Sequence, residues 1–149
     1  MRLRTAAKAL IYRDERLLVT VNKDDEGFWY ILPGGGQQHG ETLVEALQRE
    51  CAEEIGTQVT IQKLGYIREY IADNHDLHAG TAGLHQIDFI FLCTVPSNYE
   101  PPQREFHDSI QIGVAWMTID ELKHKRFFPQ RMLDALECDD STVYLGDAN

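Results

Sequence analysis

Cysteine, basic charge and long apolar runs are what this sequence has little of, and each shortage removes a class of protein. Cys51, Cys93 and Cys138 stand far apart with no CxxC pair among them. They spell neither a disulfide framework nor a zinc pattern, and unpaired thiols fit a reducing cytoplasm. Lys plus Arg number 14 against 24 Asp plus Glu, a formal net charge of -10. A nucleic-acid polymer is repelled by such a field, so no DNA or RNA strand is expected as partner. A small phosphorylated compound is not excluded, because a bound cation reverses the local sign of charge. No stretch approaches the roughly 20 apolar residues of a membrane span. The short apolar run near the amino terminus is broken by Lys8 and Arg13, too soon for the core of a signal peptide. Repeats, low-complexity tracts and linkers are missing as well. One domain over residues 1–149 is therefore expected, long enough to bury a core.

What is present reads as strands with a few helices. Thr5 to Tyr12 and Leu17 to Val21 are predicted as a strand pair turning at Asp14-Glu15. Phe28 to Leu32 is aromatic and β-branched and stops at Pro33, after which Gly34-Gly35-Gly36 is expected to be a loop. Further strands are expected near Val59 to Ile71, Gln86 to Thr94 and Gln111 to Met117, and short helices at Asp120 to Lys125 and Pro129 to Glu137. The interleaving predicts an α/β fold in which helices cover a mixed β-sheet.

Between Glu41 and Ile55 the pattern turns helical, with a capping box at Thr42 and Glu45 and a terminating glycine at Gly56. At helical spacing Leu43, Val44, Leu47, Cys51 and Ile55 share one arc and are expected to face the core. Glu41, Glu45 and Gln48 are expected to face water. Glu50, Glu53 and Glu54 form a third group on the other flank of the apolar arc. Like charges so spaced destabilise a helix. Shared hard cations such as Mg²⁺ or Mn²⁺, which take carboxylate and phosphate oxygens, would offset that repulsion. A solvated acidic face is the plain alternative on the helix alone.

The preceding glycines tip this balance, since they let backbone approach a ligand without a side chain in the way. Gly35, Glu41, Arg49, Glu50, Glu53, Glu54 and Gly56 together stand at the spacing of the Nudix box, and all seven fixed residues are present. The chain is thereby identified as a member of the Nudix hydrolase family. Tyr30 to Gly35 resembles the family's lead-in to the box, and Trp116 to Leu122 resembles its late strand and short helix. Cys51 and Thr57 stand where aliphatic residues are usual, and Gln38 where many relatives carry a further Glu.

The resemblance implies an α/β/α sandwich with a mixed sheet and the Nudix loop-helix. It implies that Glu50, Glu53 and Glu54, with the Gly35 carbonyl, bind Mg²⁺ (or Mn²⁺), and that metal-activated water attacks phosphorus. Arg49 is expected to orient the carboxylates, and Glu41 to stabilise the loop and helix start. The general base is left open between Glu50 and a carboxylate outside the box, for which Glu100, Glu105 and Asp108 are candidates. The expected reaction is cleavage of a diphosphate linkage in a nucleoside diphosphate joined to another moiety. The alternatives are a house-cleaning nucleoside triphosphate pyrophosphatase and a non-catalytic nucleotide sensor. Sensors usually lack box carboxylates, and none is missing here.

Weaker candidates surround the box. His75, His78 and His85 lack zinc spacing and are read as loop residues or substrate contacts. Tyr30, Tyr66 and Tyr70 could stack a base, although packing is the default role. Lys23 could reach a phosphate, although a solvated lysine is the default. Substrate marks known in the family are missing: Ala72 replaces a proline of many ADP-ribose hydrolases, and Asn74 and His75 replace a tyrosine of diadenosine polyphosphate hydrolases. Relatives are often homodimers, but nothing in this sequence specifies an interface.

Overall fold

The computed structural model describes residues 2–75, 81–106, 110–138 and 141–149. Nine strands form the sheet: β1 (Arg2–Arg13), β2 (Arg16–Asp24), β3 (Gly27–Ile31), β4 (Gly34–Gly36), β5 (Thr60–Ile71), β6 (Leu84–Thr94), β7 (Gln111–Thr118), β8 (Phe127–Phe128) and β9 (Tyr144–Asp147). Helix α1 (Leu43–Ile55) follows β4, α2 (Ile119–Lys123) follows β7, and α3 (Gln130–Glu137) follows β8.

The hairpin between β1 and β2 turns through Asp14 and Glu15, both left-handed at φ 52° and 63°. A two-residue turn with positive φ at both positions matches the twist of paired strands. The two strands stay paired only at Tyr12–Leu17 and Arg13–Arg16. Beyond that point the sheet forks. β1 runs parallel to β6 from Arg2–Leu84 to Ile11–Cys93, and β6 continues antiparallel to β5, which carries β9. β2 turns instead to β3 and β7, both antiparallel.

The edge of β1 left open by the fork is filled by the glycine segment. The Ala9 amide donates to the Pro33 carbonyl at 2.8 Å, and Gly34, Gly35 and Gly36 pair with Lys8, Ala7 and Ala6. The expected loop is thus a short strand. Glycine usually weakens a strand, but here close approach decides the matter. A Cβ at Gly34 would stand 2.1 Å from the Ala7 carbonyl oxygen, and its φ of +128° also disfavours other residues.

Alternation along β1 gives the layers. Ala7, Ala9 and Ile11 pack with Leu18, Ala46, Leu47, Cys51 and Ile55 on the α1 face. Leu10, Leu17 and Val19 point the other way, against Leu122, Phe127, Met132 and Leu133. Two buried cores on opposite faces make the expected helix-sheet-helix sandwich. Among the described residues no helix is long and apolar enough to cross a membrane. Cys51 and Cys93 are buried free thiols and Cys138 an exposed one.

Helix α1 starts later than expected, because Thr42 is its cap and Glu41 lies outside it. The capping box closes in both directions: the Glu45 amide donates to Thr42 Oγ1 at 3.2 Å, and the Thr42 amide to Glu45 Oε2 at 2.7 Å. Gly56 ends the helix at φ 76°. Two wheel positions differ from expectation. Val44 is 47% exposed and Ala46 fully buried, so the buried face is rotated toward Ala46 in the first turn. Gln48 is only half-buried toward water, because its amide brackets the Val59 backbone, donating to the carbonyl at 2.6 Å and accepting from the amide at 2.9 Å. β8 and β9, which were not expected from sequence, are short strands paired in parallel at sheet edges.

Candidate active site

Strand β4 has charged groups packed on it where side chains of its own would otherwise be. A Cβ at Gly35 would meet the Glu50 carboxylate, with Cδ at 2.5 Å, and one at Gly36 would meet the Arg4 guanidinium, with Nη2 at 2.5 Å. Lys8 donates to the Gly34 carbonyl at 3.2 Å. The Gly34 amide donates to Glu54 Oε2 at 2.9 Å. The glycines therefore bring strand and helix carboxylates within direct contact.

Arg49 ties this assembly together. Its Nε donates to Glu41 Oε1 at 2.6 Å, Nη1 to Glu50 Oε1 at 2.8 Å, and Nη2 to the Gly36 carbonyl at 3.0 Å. Charge-assisted bonds of this fork geometry fix orientation as well as contributing energy. Arg49 holds the Glu41 carboxyl below its usual range, aided by the Gln38 amide at 2.8 Å. Arg49 thus contacts Glu41, Glu50 and the Gly36 carbonyl at once, and Glu41 contacts the Gln38 amide of the loop.

Glu50, Glu53 and Glu54 line one cleft, together with Thr20, Asn22, Arg104, Glu105 and Gln111. Burial pushes the Glu54 carboxyl up to about 7, opposed by Lys8 and the Gly34 amide. The far wall is tied to α1 by two side chains: Arg104 donates to the Glu53 carbonyl, and Gln111 donates to the Glu54 carbonyl at 2.9 Å. Tyr99 fixes the helix end, its hydroxyl donating to the Ile55 carbonyl at 2.7 Å. Glu105 lines the cleft as well, whereas Glu100 is exposed outside it. Asp108 lies outside the described residues, as does His78.

The donor set suits a hard divalent cation: carboxylate oxygens and the backbone of Gly35, at a contact that any larger residue would block. Among the described residues no three acidic, thiol or imidazole groups already converge as a cage. Glu50 is turned toward Arg49 and Glu54 toward the Gly34 amide.

The cleft opens into a second space, a cavity of about 550 Å³, and Trp29, Ile31 and Ile110 line both. The cavity has walls of Leu32, Leu84, Ile90, Phe128 and Pro129, and a polar floor of Arg68, Tyr70, Gln86 and Asp88. Arg68 and Asp88 are buried, 8% and 2% exposed, and paired at 2.8 Å. The buried indole N–H of Trp29 has no hydrogen-bond partner in the structure. Lys8 also lines this cavity while lowering the Glu54 pKa, so it sits between the two spaces.

The remaining sequence candidates separate clearly. Tyr70 lines the cavity, and Tyr30 and Tyr66 pack on the core. Lys23 lies over the Phe28 ring at 5.6 Å. His75 pairs with Asp147 at 2.8 Å and His85 with Glu69 at 3.2 Å, and neither lines the cleft or the cavity. Sequence reasoning missed Lys8, Arg68, Gln86, Asp88 and Gln111. A charged or amide residue alternating with apolar ones inside a predicted strand was the one signal available for them.

The NUDIX domain model matches residues 2–136. A nucleoside triphosphatase, NudI, of Enterobacter sp. (strain 638) is 31% identical over 127 residues, covering 82% of this chain and 86% of that protein. A NUDIX hydrolase from Nitrosomonas europaea superposes with a TM-score of 0.73 at 22% identity, covering 91% of this chain and 87% of that one. An ADP-ribose pyrophosphatase from Streptococcus suis superposes with a TM-score of 0.62 at 16% identity, covering 97% and 98%.

Proposed function

The chain belongs to the NUDIX hydrolase family, and from that membership we propose that it hydrolyses a phosphoanhydride bond in a nucleoside triphosphate, assisted by a divalent cation. The observation that carries this reading is continuity: the acidic cleft and the cavity share Trp29, Ile31 and Ile110. A nucleoside held in the cavity leaves its phosphates in the cleft against Glu50, Glu53 and Glu54. The similarity to a nucleoside triphosphatase puts triphosphates ahead of nucleoside diphosphates joined to another group, reversing the order expected from sequence.

Glu50, Glu53, Glu54 and the Gly35 carbonyl are the residues that would hold Mg²⁺ or Mn²⁺. Such an ion neutralises phosphate charge and makes water nucleophilic near neutral pH. Arg49 keeps the Glu50 carboxylate beside Gly35 and leaves little freedom to be lost on binding. Lys8 offers its ammonium to the phosphate nearest the nucleoside, because it lines the cavity and lies near enough to Glu54 to lower its pKa. Glu50 and Glu105 are the described general-base candidates that line the cleft.

The test is phosphate and pyrophosphate release from nucleoside triphosphates, nucleotide sugars and dinucleotides with Mg²⁺ or Mn²⁺, for the wild type and Glu53→Gln. Metal-dependent turnover of a triphosphate, lost in Glu53→Gln, is the expected result. Turnover of only a nucleotide sugar or dinucleotide would replace the substrate class. Tight binding with no turnover would sink the hydrolase reading in favour of a sensor.

A further inference from the structure

We propose that the cavity recognises a nucleobase by an amino-bearing edge, and that Gln86, held by Asp88, is the side chain that reads it. The proposal rests on the reading of the cavity as the nucleoside site and adds which bases it accepts.

The argument is an accounting of hydrogen bonds on the cavity floor. Asp88 accepts from Arg68 Nη1 on Oδ2 at 2.8 Å and from Gln86 Nε2 on Oδ1 at 2.7 Å. Arg68 is itself fixed from behind, donating through Nε to the Ala148 carbonyl at 2.7 Å and lying over the Tyr70 ring at 5.0 Å. An amide side chain can present either end, oxygen or nitrogen. Here the choice is made by chemistry: a carboxylate paired with arginine only accepts, so the Gln86 nitrogen must face it. Among the described residues the Gln86 oxygen has no hydrogen-bond donor, and Gln86 is a half-buried residue lining a cavity with apolar walls. A polar group in such surroundings is satisfied by a ligand or by water, and a ligand that fails to supply the matching group is rejected.

The acceptor that Gln86 presents to the cavity calls for a donor group on the base, and Asp88 serves to hold it in that orientation. Cytosine, adenine and guanine each carry an exocyclic amino group on a hydrogen-bonding edge. Uracil and thymine carry a carbonyl oxygen at the ring position where cytosine carries its amino group, and that oxygen would face the Gln86 oxygen. Cytidine and uridine form the cleanest pair, because the rings match in size and differ at that edge.

The experiment compares kcat/KM for CTP and UTP with Mg²⁺, and in parallel the binding of CMP and UMP by calorimetry, which needs no turnover. The wild type is expected to favour the cytidine member by roughly tenfold, the size of one hydrogen bond made by cytidine and lost with uridine. In Gln86→Leu the ratio is expected to fall to within about threefold, with thermal melts reporting a folded protein. Asp88→Asn lets the amide of Gln86 turn, and is expected to narrow the ratio while retaining Gln86. Should loss of the Arg68 partner unfold Asp88→Asn, Gln86→Leu decides alone. Equal handling of cytidine and uridine nucleotides by the wild type, or a preference that survives Gln86→Leu, overturns the proposal. A Gln86-dependent preference for CMP without turnover of any nucleotide would support the cavity reading and defeat the hydrolase reading.

Discussion

At the acidic end of the cleft, strand β4 and helix α1 bring Gly34, Gly35, Glu50, Glu53 and Glu54 together from one short stretch of chain. The cavity at the other end is assembled differently: its polar floor comes from β5 and β6, and its walls from β3, the segment before β4, β6, β8 and Pro129. The first is a local device, set by a turn, a cap and three glycines. The second exists only after strands far apart in sequence have paired. On the proposed function, this contrast separates the residues assigned to phosphate, which every substrate of the reaction shares, from those assigned to a particular nucleoside. It also says where substitutions should act on rate and where on preference.

Gly35→Ala is the largest expected effect and the sharpest test of the local device. Its Cβ would collide with the Glu50 carboxylate at 2.5 Å and push it off the strand. Groups that merely orient metal ligands affect activity about 10–100-fold. Displacing a ligand itself should lower kcat/KM by more than about 100-fold, with the far-ultraviolet circular dichroism unchanged. Full activity in this variant would mean that Gly35 and Glu50 are not jointly used.

Lys8→Met is expected to be intermediate, since Lys8 belongs to neither end alone. Steady-state kinetics should show KM rising about tenfold with kcat little changed, the size of one lost charged hydrogen bond. A fall in kcat with constant KM would place Lys8 among the groups that act on the reacting phosphate instead.

The smallest expected effect tests whether the helix start matters beyond stability. Thr42→Ala removes the side-chain half of the capping box, the hydroxyl that accepts from the Glu45 amide, and keeps the backbone half, a loss of about 1 kcal/mol. Thermal melting should show Tm lower by about 2–4 °C, with kcat and the cytidine preference intact. A large loss of activity at permissive temperature would show that the cap positions Glu50 and Glu54 directly.

The same contrast governs how much could be read from the sequence. Gly35, Glu41, Arg49, Glu50, Glu53, Glu54 and Gly56 were visible because a local device needs fixed spacing. The capping box and the Asp14-Glu15 turn were legible for the same reason, each being decided within a few residues. Gly34 to Gly36 was misread as loop because its pairing depends on close approach to β1, which glycine allows but no propensity encodes. Val44 was misplaced because the buried face of the first turn runs through Leu43 and Ala46, leaving Val44 to one side. Arg68, Gln86 and Asp88 stood unremarked within predicted strands. Their meaning comes from the register between β5 and β6, which pairs Arg68 with Asp88 across the sheet.

The glycine strand has a consequence for anyone reshaping this protein by directed evolution. At codons 34, 35 and 36 the first atom of any side chain would collide with the Ala7 carbonyl, the Glu50 carboxylate or the Arg4 guanidinium. Diversity at 34 and 35 meets backbone or the Glu50 carboxylate, whereas the half-buried cavity positions Leu84 and Gln86, outside the buried Arg68–Asp88 pair, leave more room for change. On the proposed reading, a library that leaves β4 alone and randomises those positions explores new nucleosides while keeping the phosphate end intact.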